Sequence, residues 1–378
     1  MTLILGSTAG WWLGFIMGRH TGYDEGAQYE RALASSGFQT PSDTAAAREI
    51  ELETRIWHRP LLGRHPIRLP KPESRALRVI SFFNLKGGVG KTSLTANVAA
   101  TLVRRGKKVL VIDLDHQQSL TGLCLTAMQV AETRRSQIAV QHIFDSEMNR
   151  GDLLHQIYKR VRGAEDTFGV IPAHHELAEK EDLSMLKWLR ENGTRDIRFA
   201  FTAAVLNSRF KDWADYILLD CPPRLTTASV NALAASDFIV APVLPDAVST
   251  DAVQFLVKHL HQLGDLLPDP IGPRLGLVAN RCGAQFTLDE RFWNDIIMLC
   301  PQEWRPRITG FRSPIRERVA FRDAAAQSSE AVRRFAIDIQ DDTAAQFAAL
   351  VDEIELAVRP SKGNANPAEP TQALSPQP

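Results

Sequence analysis

No two cysteines lie close enough in the sequence to form a metal-binding pair. Cys124, Cys221, Cys282 and Cys300 stand far apart, which excludes a disulfide framework, a CxxC zinc site and a cysteine-held iron–sulfur cluster and suits a reducing compartment. Net charge is missing as well: 44 Lys and Arg balance 44 Asp and Glu, so no overall positive field draws the chain to nucleic acid, and any basic patch has to be local. Charge is absent altogether from Thr2 to Gly18, TLILGSTAGWWLGFIMG, before Arg19 and His20. That run also lacks the basic start and small-residue cleavage site of a signal peptide, so removal as a leader is not expected.

What the N-terminal run does have is glycine at every fourth position, Gly6, Gly10, Gly14, Gly18 and Gly22. On a helix this spacing makes one smooth face, the pattern that lets membrane helices approach closely. The uncharged length is at the short end of what crosses a bilayer. Residues 1–22 are therefore expected to form a transmembrane anchor. Arg19 and the basic stretch behind it keep the rest of the chain on the cytoplasmic side of a bacterial inner membrane.

Residues 23–76 read as two short polar helices, Tyr23–Ser35 and Ser42–Trp57, and then a basic, proline-spaced linker from Arg59 to Pro72. From Leu77 to Val358 the pattern alternates. Apolar runs suited to buried parallel strands occur at Arg78–Phe83, Lys108–Ile112, Phe168–Ile171, Tyr216–Leu219, Phe238–Val243 and Arg274–Ala279. Helical stretches such as Lys91–Arg104 and Thr250–Leu263 lie between them, and an amphipathic helix from Asp342 to Val358 closes the region. The fold class is α/β, a doubly wound and mostly parallel sheet. Residues 359–378, rich in Pro, Ala, Asn and Gln, have the composition of a disordered tail.

Chemistry concentrates in three segments. The first, Asn84-Leu85-Lys86-Gly87-Gly88-Val89-Gly90-Lys91-Thr92-Ser93, follows a strand and opens a helix. Glycines let backbone N–H groups approach phosphate, Lys91 reaches the β- and γ-phosphates, and the Thr92 hydroxyl is a ligand for Mg²⁺. The second, Asp113-Leu114-Asp115-His116-Gln117, and the third, Asp220-Cys221-Pro222-Pro223, each bring carboxylates to the end of an apolar strand, where open α/β sheets hold ligands.

The run KGGVGKT, Lys86 to Thr92, resembles the deviant phosphate loop of the ParA/MinD family of dimeric P-loop ATPases. The resemblance covers about Leu77 to Val358. It implies ATP and Mg²⁺ as ligands and a homodimer formed on ATP binding, with Lys86 reaching the partner's nucleotide much as an arginine finger does. Asp115 is implied to orient the attacking water, Asp113 and Asp220 to support Mg²⁺ beside Thr92, and Asn280 to bond adenine, with Val243 and Pro245 near the base. His116 stands where the family usually has proline.

Three classes of function follow. The first is a membrane-anchored ATPase whose ATP-dependent dimerisation and hydrolysis position or regulate a partner assembly through a protein activator or cargo. The second is a soluble partition ATPase holding DNA non-specifically through the arginines between Trp304 and Arg334, and it ranks behind the first because Glu317 and Asp323 interrupt the stripe. The third is an accessory ATPase or kinase-like regulator of an envelope machine for secretion, conjugation or polysaccharide export. The kinase form ranks last because the tail has no tyrosine.

Overall fold

A computed structural model describes residues 56–57, 59, 61, 67–71, 74–136, 139–144, 159–160, 168–191, 196–245, 247–268, 273–327 and 334–359. The chain divides into two units, residues 1–56 and 57–378. The expected anchor at 1–22, the helix Tyr23–Ser35, most of the helix Ser42–Trp57 and the tail beyond Arg359 lie outside the described residues. Among the described residues no helix is long and apolar enough to cross a membrane.

The described elements of the second unit are β1 (Arg78–Phe82), α1 (Lys91–Arg104), β2 (Val109–Asp113), α2 (Ser119–Cys124), α3 (Ala127–Arg135), β3 (Lys159–Arg160), β4 (Phe168–Ile171) and α4 (Leu177–Glu191). There follow α5 (Ala200–Leu206), α6 (Phe210–Trp213), β5 (Tyr216–Asp220), α7 (Thr227–Ala235), β6 (Phe238–Val243), α8 (Ala247–Gln262) and β7 (Arg274–Ala279). The last are α9 (Glu290–Met298), β8 (Ile308–Gly310), α10 (Val319–Ala325), α11 (Ala336–Ile339) and α12 (Asp341–Ala357). One sheet runs in the order β3-β4-β2-β5-β1-β6-β7-β8. Every pairing is parallel except β3 with β4.

The strands are apolar throughout because both faces are covered. Val79, Leu110, Ile112, Ile217 and Leu219 pack on one side with residues of α4, α5, α7, α8 and α9. Ile80, Phe82, Val109, Val111 and Leu218 pack on the other with α1 and α12. Successive side chains alternate between the two clusters, the period-two rule read on a sheet buried on both sides. Glycines mark both ends of α1. Gly90 precedes it at φ 89°, and Gly106, at φ 74°, closes it: its amide bonds the Val103 carbonyl and the Lys107 amide bonds Leu102, a Schellman ending that hands the chain to β2.

The stretch expected as a linker is docked. Trp57 is buried and stacks on Trp188 of α4 with ring centroids 6.2 Å apart. Arg198, itself buried, donates to the carbonyls of Trp57 and Arg59, both at 2.7 Å, and pairs with Asp196 at 2.5 Å. Leu61 and Leu69 pack on the core, and Arg68 donates to the Pro268 carbonyl at 3.0 Å. The described apolar residues of this strap, Trp57, Leu61 and Leu69, thus have a surface to bury against.

Candidate nucleotide site

β1 lies between β5 and β6, at the point where the strand order reverses, and the loop Asn84–Gly90 leaves its carboxyl end. Parallel register brings Asp220 level with both Phe82 and Asp113, so the three motif segments end side by side. Sequence spacing alone put each at a strand end, and the register joins them.

The loop is held from within. Asn84, buried, donates its side-chain amide to the Pro242 carbonyl at 2.8 Å and accepts the Lys86 amide at 3.0 Å. Lys91 is buried too, and its Nζ donates to the carbonyls of Asn84 (3.1 Å) and Lys86 (3.2 Å). Burial lowers its pKa, while the charges of Asp220 and Asp115 act the other way. The Thr92 hydroxyl donates to Asp220 Oδ2 at 2.7 Å.

Asp113 and Asp220 are both fully buried in adjacent strands. Burial raises the pKa of each carboxyl, and for Asp220 the nearby charge of Asp113 adds to the effect. A divalent cation beside Thr92 and Asp220 would neutralise that buried charge, so these residues fit a magnesium seat. Asp113, expected in the same role, has both oxygens engaged elsewhere: Oδ2 by the Thr121 amide (2.8 Å) and hydroxyl (2.7 Å), Oδ1 by the Asp115 amide (3.1 Å). It fixes the turn that presents Asp115. Thr121, which no motif marks, holds Asp113 in place.

A cleft of about 710 Å³ opens over the loop and takes in Gly87, Gly88, Gly90, Lys91, Thr92, Ser93, Asp115, Pro223 and Asn280. Its far wall comes from the segment after β8, including Arg316, Glu317, Arg318, Phe321 and Arg322. Val243 and Pro245, expected near the base, are not among the lining residues; the Val243 carbonyl accepts the Asn280 amide at 2.8 Å. Asn280, expected at adenine, donates its side-chain amide to the Val89 carbonyl at 2.7 Å. Lys86, half-buried, lies outside the lining set. Gln117, next to His116, donates its amide to Asp115 Oδ1 at 2.9 Å.

Four of the arginines expected as a DNA stripe make contacts within the chain. Arg305 donates to the carbonyls of Cys300 and Met298, Arg316 to Gly283 and Ala284, Arg334 to Asp338, and Arg318 pairs with Asp342 at 2.6 Å.

An AAA domain family model matches residues 77–269, just over half of the chain. Over 192 residues the chain is 32% identical to the sporulation initiation inhibitor protein Soj of Bacillus subtilis, which covers 49% of this chain and 68% of Soj. The chain belongs to the ParA/MinD family of P-loop ATPases. The chromosome partitioning protein ParA of Caulobacter vibrioides is 28% identical over 58% of this chain and 75% of its own length. Among the relatives matched by sequence, the chain spans 62% to 80% of their own lengths. The fold is shared with apo McdA of Cyanothece (TM-score 0.55, 20% identity, 73% of this chain and 98% of McdA). It is shared also with a putative plasmid partition protein of Borrelia burgdorferi bound to AMPPNP (TM-score 0.52, 21% identity, 74% and 98%).

Proposed function

We propose that this ParA/MinD-family chain binds ATP with Mg²⁺, dimerises around the nucleotide and hydrolyses it to position or regulate a partner assembly. The observation that carries this is the Thr92–Asp220 contact of 2.7 Å under a loop bearing two lysines, Lys86 and Lys91. The amides of Gly87 to Ser93 would hold the phosphates, Thr92 and Asp220 the metal, and Lys86 the partner's nucleotide. Water oriented by Asp115 forms a bond to the γ-phosphorus as the bond to the β–γ bridging oxygen breaks. ADP leaves with the electron pair, and the water's proton passes to Asp115 or to the phosphate released.

Residues 1–22 supply the membrane anchor of this proposal, on the strength of their lack of charge and their glycine period. The soluble partition alternative fits the same family. Four of its candidate DNA-binding arginines also contact the chain itself, Arg305, Arg316 and Arg334 at backbone carbonyls and Arg318 at Asp342. An accessory role in an envelope machine remains the third class, tied to the anchor. The test is titration of a fluorescent ATP analogue with Mg²⁺: Lys91→Ala in the full chain should abolish binding while melting like the parent. Undiminished affinity in that folded variant overturns the proposal.

A further inference from the structure

Among the described residues only two non-glycines have positive φ, Gln118 and Arg281, the latter at 53°. A left-handed arginine is strained backbone, so its surroundings have to hold it there. Arg281 Nη1 donates to the Gly88 carbonyl at 3.0 Å, and Nη2 pairs with Glu317 Oε1 at 3.1 Å. The residue before it, Asn280, is buried and donates to the Val89 carbonyl at 2.7 Å. Any side chain at position 90 would collide with that same Asn280 amide, which gives Gly90 a second reason to be glycine besides its φ.

Two consecutive residues of one turn therefore grip two consecutive carbonyls of the phosphate loop. A trans peptide is planar, so its C=O and the next N–H point in opposite directions. Fixing the Gly88 carbonyl fixes the Val89 amide, and fixing the Val89 carbonyl fixes the Gly90 amide. We infer that Asn280 and Arg281 form a positioning clamp that aims the Val89 and Gly90 amides at the phosphates before the nucleotide arrives. This rests on the ATP-binding reading above and adds residues to that site.

The clamp is also joined to the far wall of the cleft. The Glu317 amide bonds the Cys282 carbonyl at 3.0 Å, and the Arg316 guanidinium bonds the carbonyls of Gly283 and Ala284 at 3.0 and 3.1 Å. Loop, turn and wall form a closed set of contacts through Arg281, so whatever fills the wall side also steadies the phosphate side.

Arg281→Gly is the decisive variant: it suits the left-handed backbone and removes the side chain that carries the guanidinium. Measured on the full chain, its nucleotide-free melting temperature should equal or exceed the parent's, while its Kd for the fluorescent ATP analogue with Mg²⁺ rises about tenfold, the size of one charged hydrogen bond. Arg281→Lys, which keeps one donor, should recover part of the affinity. An Arg281→Gly protein that binds as tightly as the parent overturns the clamp alone. A lowered nucleotide-free melting temperature overturns it as well, because the guanidinium then serves the fold at large. A parent that binds no nucleotide overturns the proposed function and the clamp together.

Discussion

Glu181 of α4 is a buried carboxyl aimed at the first turn of α7, the helix that follows the Asp220 segment. It accepts the Ala228 amide, in a turn that Thr226 caps from the other side. Burial raises its pKa from an ordinary 4.5 to about 7, against the opposing pull of the Ala228 amide, Thr226 and Arg224. The folded state thus holds the proton more tightly than the unfolded chain does. The stability this gives is complete below pH 4.5 and drains away as the pH rises through about 7. At about 1.4 kcal/mol per tenfold change in proton affinity, the loss by pH 8 comes to roughly 3 kcal/mol. Glu181→Gln keeps an acceptor for Ala228 and removes the ionisation. Any cost of seating the new amide does not vary with pH, so the slope is the observable. Denaturant unfolding at pH 5, 6.5 and 8, followed by tryptophan fluorescence, should show the variant gaining on the parent by about 2–3 kcal/mol across that range. Parallel pH profiles for the two proteins would refute the assignment of a buried, proton-holding Glu181.

The two catalytic candidates separate by behaviour: Asp115→Ala should bind ATP and accumulate as a dimer on sizing, whereas Lys86→Ala should bind ATP and stay monomeric. A monomeric Asp115→Ala protein at saturating ATP removes the sandwich-dimer reading. For the N-terminal segment, the full chain should resist carbonate extraction from membranes, and deletion of residues 1–20 should release it while sparing ATP binding. Extraction of the intact chain by carbonate ends the anchor proposal.

Where sequence and structure agree, the signal was local. Helix Lys91–Arg104 is found to the residue because Gly90 and Gly106 bracket it. The six apolar runs are six strands, shifted by at most a residue at each end, as with Val109–Asp113 against the expected Lys108–Ile112. β8 was not legible: three residues, Ile-Thr-Gly, show no period, and the strand exists because Leu275 pairs with Ile308. Asp113 and Asp220 look alike in sequence, each ending a strand, and only the position of Thr121 eight residues on gives Asp113 a different task. Charge counting finds the arginines after Trp304 and not their contacts: Arg305, Arg316 and Arg334 reach carbonyls and Arg318 reaches Asp342. A tryptophan at the head of a basic, proline-spaced stretch was the one available sign that Trp57 would be buried.

The seated strap changes the mechanics of any tether. If the stretch from Trp57 to Leu77 were slack and extended, it would add about 65–70 Å of reach. Trp57 stacks on Trp188, Arg198 grips the carbonyls of Trp57 and Arg59, and Leu69 packs against the core, so the leash is held at these points. A pull from the N-terminal side would arrive at α4, whose Glu181 holds the first turn of α7, the helix that follows the strand carrying Asp220. Load on the leash and the strand end that carries Asp220 would then share one mechanical path.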